Sequence, residues 1–146
     1  MKQLLKQIKA KNSPAGFKIL APPSHRKILE LESKIGCKLP EDFILFYNLC
    51  NGFECLEDLF NFLSIDTILA NIEYGNQWFL FAEYMVYSDF WGLRRNDNGD
   101  CEFFNSVQNI PSHSLIEFLT AFLQGNLFEK GGIYEWEQKK LQNPLS

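Results

Sequence analysis

Three observations predict an α+β fold, an antiparallel sheet of about five strands flanked by helices. Apolar residues recur at helical spacing through the first fifty positions, and the rhythm changes from Phe53 onward. Short aromatic-rich runs then follow one another, with Asn98-Gly99 set between two of them as a hairpin turn. Helical spacing returns near Leu115, so helices precede and follow a block of strands instead of alternating with them.

Taken in order, Leu4, Leu5 and Ile8 stripe a Lys-rich helix over residues 2–11, and the stretch from Asn12 to Gly16 breaks it with Pro14 and Gly16. Phe17–Leu20 is a brief extended segment stopped by Pro22-Pro23. Ser24 is placed to cap a helix whose inner face is Ile28, Leu31 and Ile35 and whose end is Gly36. Pro40 suits the first turn of the next helix, Glu41 and Asp42 oppose its dipole, and Phe43, Phe46, Tyr47 and Cys50 line its inner face up to Asn51-Gly52. Leu59–Ser64 reads as a strand and Ile65–Tyr74 as a short helical or irregular stretch. Trp78–Ala82, Tyr84–Arg95 and Cys101–Phe104 read as further strands. Ser112 or Ser114 caps a helix with Leu115, Phe118, Leu119 and Phe122 inward and Gly125 at its end, and the tail holds enough large apolar residues to dock as one more helix.

A chain of 146 residues, 46% hydrophobic and 22% charged, has the length of one domain and enough apolar surface to close a core without staples. The longest apolar run, Trp78–Tyr87, is interrupted by Glu83 and is far too short to span a bilayer. The N-terminus, charged throughout, lacks the apolar stretch of a secretory signal, so the four cysteines are expected as free thiols in the cytoplasm. Cys37, Cys50, Cys55 and Cys101 follow no zinc-ligand spacing.

The charge is unevenly spread. Residues 1–38 carry net +7, residues 39–129 net −12 and residues 130–146 net +1, for a total of −4. One reading is that these charges coat the solvent faces of helices and hairpins. The other is that the acidic middle attracts a basic partner and repels nucleic acid.

Residues that would carry chemistry are few. His25 and His113 each stand beside a helix start, and neither has a local context that would activate Cys37 or Cys101. Asn96–Asp100 has the oxygen-rich look of a calcium loop, but its ligand positions are out of register and a hairpin turn explains the same residues. There is no phosphate-binding glycine loop, HExxH or GxSxG. Catalysis, cofactors and metals are therefore not expected. Most of the 22 aromatics are core residues, with Trp78, Tyr87 and Trp91 the best interface anchors.

Phe17-x-Ile19-Leu20-Ala21-Pro22-Pro23-Ser24, Ile28-Leu29-x-Leu31-Glu32, Ile35-Gly36-x-x-Leu39-Pro40-x-Asp42-Phe43, Phe46-Tyr47 and Asn51-Gly52 together resemble the opening of the SUKH superfamily. Phe79-x-Phe81-Ala82-Glu83, the Asn98-Gly99 hairpin and Ser114-x-x-Glu117-Phe118-Leu119 fall where that family has equivalents. The likeness covers residues 17–124 of a single domain spanning 1–146, with helix 2–11 and tail 125–146 appended. It implies a SUKH-like α+β domain that works by binding. The superfamily includes a yeast cell-wall-synthesis regulator and many bacterial immunity proteins of polymorphic toxins. The motif residues read as scaffold, so none is carried over as a site.

The expectation is a non-enzymatic immunity protein that occludes the active site of a cognate, basic toxin, such as a nuclease, with no nucleic-acid or membrane partner. Its partner-binding residues are expected to be Glu54, Glu57, Asp58, Glu83, Asp89, Asp97, Asp100 and Glu102, with Trp91 as apolar anchor. A regulatory or scaffolding module that binds an endogenous protein is the alternative within the same superfamily, and a small enzyme is the third reading.

Overall fold

A computed structural model describes residues 1–12, 16–72, 77–111 and 114–143. Its elements run α1 (Lys2–Asn12), β1 (Phe17–Ile19), α2 (His25–Ile35), α3 (Glu41–Leu49), β2 (Phe53–Cys55), β3 (Phe60–Phe62), α4 (Ile65–Asn71), β4 (Trp78–Tyr84), β5 (Asp89–Arg95), β6 (Cys101–Asn105), β7 (Asn109–Ile110), α5 (Leu115–Gly125) and α6 (Ile133–Gln142). The fold is α+β, and its sheet has seven strands instead of five, all antiparallel in the order β1 to β7. The surplus comes from two very short strands, β2 and β7, which hold three and two residues, below the length at which alternation is readable. No described helix is long and apolar enough to cross a membrane.

Local chemistry accounts for three of the helix ends. Gly36 takes the left-handed conformation and its N–H bonds the Glu32 carbonyl, closing α2. Ser64 and Ser114 accept bonds from the N–H groups of Thr67 and Glu117, capping α4 and α5. Ser24 is also in capping position, but its side chain makes no such bond. Pro40 precedes α3 instead of starting it, and its carbonyl accepts from Phe43 and Ile44. Ser112 and His113 lie outside the described residues.

One face of the sheet receives the helices. Phe43 of α3 sets its ring edge-on to Phe79, Phe81 and Phe103 at 6.1, 5.3 and 6.0 Å. Phe118 of α5 stands 5.2 Å from Phe81 and 5.8 Å from Trp91. Leu5 and Ile8 of α1 and Ile133 of α6 join the same buried cluster. On the other face, Trp78, Leu80, Phe90, Arg94 and Phe104 surround a shallow hollow of about 330 Å³. Gly92 lies under Phe104 there, where a Cβ would fall 2.1 Å from the ring.

Candidate interaction surface

Because the sheet is a meander, its turns separate into two ends. The β2–β3, β4–β5 and β6–β7 turns lie at one end, and the β5–β6 turn lies at the other. β5 has seven residues, so at about 3.3 Å each the ends are roughly 20 Å apart. The expected acidic residues divide between them and do not form one continuous flank. Glu57 and Asp58 occupy the β2–β3 turn, Glu83 and Asp89 flank the β4–β5 turn, and Glu54 lies in β2. Asp97 and Asp100 sit in the β5–β6 turn, and Glu102 follows in β6.

At the second end, the Asn96 side chain accepts from the N–H groups of Asn98 and Asp100 at 2.9 and 3.0 Å, and Gly99 supplies the positive φ. These bonds define a hairpin turn. Among the described residues no group of three or more His, Cys, Asp or Glu is arranged to hold a metal ion. Glu102 accepts from Arg94 Nε at 3.1 Å, and Arg94 also reaches Asn109, so this carboxylate is engaged within the sheet.

The first end is built differently. Met85, Val86 and Tyr87 take positive φ in succession at 52°, 53° and 61°, and Leu59 does the same at 54° in the neighbouring turn. Such conformations cost about 1–3 kcal/mol each for residues with a Cβ and persist only where tertiary bonds hold them. Met85 N–H donates to the Leu59 carbonyl at 2.8 Å, tying the two turns together. Tyr87 N–H donates to Glu83 at 2.8 Å, and Asn61 holds the other oxygen of Glu83 at 2.6 Å. Glu83 is therefore a buried fastening for the turn, which corrects its expected role as a surface charge.

Two further expectations change. Trp91 is fully buried between Phe60, Phe118 and Tyr134, and its indole N–H donates to Glu137 of α6. An aromatic so enclosed cannot anchor a partner; its place in the core follows from pairing with Ala82 on the helix-bearing face. Asp89 accepts from Ser106 Oγ and Tyr134 OH, both at 2.6 Å, and so serves internal packing. Asp58 accepts from Asn126, joining the β2–β3 turn to the loop after α5. Glu54, Glu57, Asp97 and Asp100 are exposed, and among the described residues they form no salt bridge.

No thiol is activated. Burial pushes Cys50 and Cys55 up to about 11, and it raises Cys37 and Cys101, which share a hydrogen bond, as well. His25 is exposed at the start of α2, and His113 lies outside the described residues.

What sequence reasoning missed is the apolar character of the first end. Leu56, Leu59, Met85, Val86, Val107 and Phe128 are all exposed there. One signal was available. The stretch from Trp78 to Arg95 is too long for a single strand of ordinary length, so a turn had to fall among its apolar residues.

No curated protein matches the chain. The family model described as the SMI1 / KNR4 family (SUKH-1) matches residues 22–142, from just before α2 to the last residue of α6. The match extends through the tail that the motif resemblance had left out, while α1 lies outside it. The chain belongs to the SMI1 / KNR4 family (SUKH-1).

Proposed function

We propose that the chain is a non-enzymatic immunity protein that binds a cognate toxin in the cytoplasm of the producing cell and covers the toxin's active site. The family includes toxin immunity proteins, and the observation that carries the reading is how little of the acidic segment is neutralised from within. Of the carboxylates between residues 39 and 129, Asp66, Glu102 and Glu117 stand in salt bridges among the described residues. Glu54, Glu57, Asp97 and Asp100 face solvent and leave a negative field that draws in a basic partner and speeds encounter.

The test pairs this chain with the C-terminal domains of large secreted proteins encoded beside its gene. Each domain is expressed alone and with the chain. The reading requires that one domain arrest growth alone, that the chain restore growth, and that the two purify as a stoichiometric complex. Growth arrest that the chain never relieves would refute it. Recovery of a housekeeping protein in place of a toxin would favour the regulatory alternative. Charge steering makes a separate demand, since the association rate must fall steeply with added salt.

A further inference from the structure

The end of the sheet that carries the β2–β3, β4–β5 and β6–β7 turns exposes side chains that neither burial nor backbone preference explains. Val86 is 88% exposed and Val107 83%, and Leu56, Leu59, Met85 and Phe128 are exposed beside them. Each leaves apolar surface in water, which opposes folding or at best does nothing for it. The backbone opposes them too. Among the described residues, six that are not glycine have positive φ, and four of these are large side chains in the turns at this end: Leu59, Met85, Val86 and Tyr87. Glycine or asparagine suits that conformation, and a β-branched valine suits it least. Leu59, Met85 and Val86 are disfavoured on both counts, and their gathering in adjoining turns points to a use outside the fold.

The rim identifies the partner's chemistry. Across residues 11–12, 16–18, 54–59, 84–90, 105–108 and 126–132 the charged residues are Glu54, Glu57, Asp58, Asp89 and Glu129 against Lys11, Lys18 and Lys130, net −2. The platform is also firmly held. Phe128 stacks on Tyr134 at 5.2 Å and meets Tyr84 edge-on at 5.3 Å, while the Met85 and Tyr87 amides are tied to Leu59 and Glu83. A fastened apolar centre with Glu54, Glu57 and Glu129 exposed around it is the arrangement expected of a protein-binding patch.

We propose that this turn end is the docking surface for a protein segment presenting lysine or arginine side chains around large apolar ones. The proposal rests on the partner-binding reading above and names the surface and the complementary chemistry. The partner's cations meet the rim, and its apolar hollow receives Val86 and its neighbours. A second copy of this chain is disfavoured as occupant because two ends of net −2 would face each other.

The probe is a phage-displayed library of random dodecapeptides selected against the intact chain. The expected result is enrichment of peptides that combine Lys or Arg with large apolar residues. Val86→Asn separates contact from folding. Asparagine relieves the left-handed strain, so the variant should melt about 2–4 °C higher and yet bind the selected peptides at least about tenfold more weakly. Asp97→Asn with Asp100→Asn, at the far end of the sheet, should leave affinity within about twofold. Three results would overturn the proposal: no enrichment or a consensus without cations, binding that survives Val86→Asn, or a dimer in sedimentation that Val86→Asn dissolves. Growth rescue reports on the immunity reading independently, so rescue that Val86→Asn leaves intact would remove this surface and keep that function.

Discussion

Glu137 makes the stability of this protein depend on pH in a direction opposite to ordinary acid denaturation. It lies in α6 with 3% of its surface exposed, accepts the Trp91 indole N–H and an Asn105 hydrogen bond, and is raised from 4.5 to about 7. Burial is the main cause, the two hydrogen bonds act against it, and the nearby Asp89 charge adds to it. The folded-state value lies above the unfolded one, so this group's contribution is complete below about pH 4.5 and is lost as pH rises through about 7. At about 1.4 kcal/mol per tenfold change in proton affinity, the loss comes to about 3 kcal/mol. Glu137→Gln removes the titration but turns an amide N–H₂ toward the Asn105 donor, which costs about 1 kcal/mol. The variant should therefore be about 2 kcal/mol more stable than the parent at pH 8, or about 6 °C in melting temperature. Below pH 4.5 it should be about 1 kcal/mol less stable, with the two curves crossing at roughly pH 5. Thermal denaturation of both proteins from pH 4 to 8 measures this, and the difference between them isolates Glu137 from other carboxylates. Parallel curves would refute the reasoning, because they would mean that Glu137 ionises alike folded and unfolded.

Trp91→Phe removes the N–H that supports ionised Glu137, so stability should keep falling with pH beyond 7, and the same denaturation series detects the displaced inflection. Gly52→Ala would put a Cβ 2.2 Å from the Phe62 carbonyl oxygen at φ +89°, and should lower stability in urea by about 3 kcal/mol or more. Gly92→Ala should cost about 2 kcal/mol by driving Phe104 off the sheet, and Phe104→Ala in the same chain should recover most of that loss in a double-mutant cycle. Glu83→Ala removes the acceptor of the Tyr87 amide, whose hydrogen exchange should quicken by about tenfold or more while the core amides keep their protection.

Legibility from sequence tracks which force decides a given piece of structure. The ends of α2 and α5 and the β5–β6 turn were readable because local chemistry settles them: Gly36 and Gly99 adopt positive φ, and Ser114 caps the N–H of Glu117. The short strands β2 and β7 were not, since they exist through pairing with neighbours and carry no period of their own. The acidic residues show the same division. Composition revealed that residues 39–129 are strongly negative, but not that Glu83 turns inward to bind Asn61 or that Asp89 meets Tyr134, because those partners are supplied by distant elements. The β4–β5 turn is the sharpest case. Val86 and Tyr87 favour a strand, and the chain turns there because Leu59 and Glu83, one from the adjoining turn and one from β4, hold the Met85 and Tyr87 amides. Local preference is overridden at this turn in favour of exposing three large side chains, which helps neither the backbone nor the core. The property that hid the turn from sequence reasoning is thus the same one on which the proposed docking surface rests.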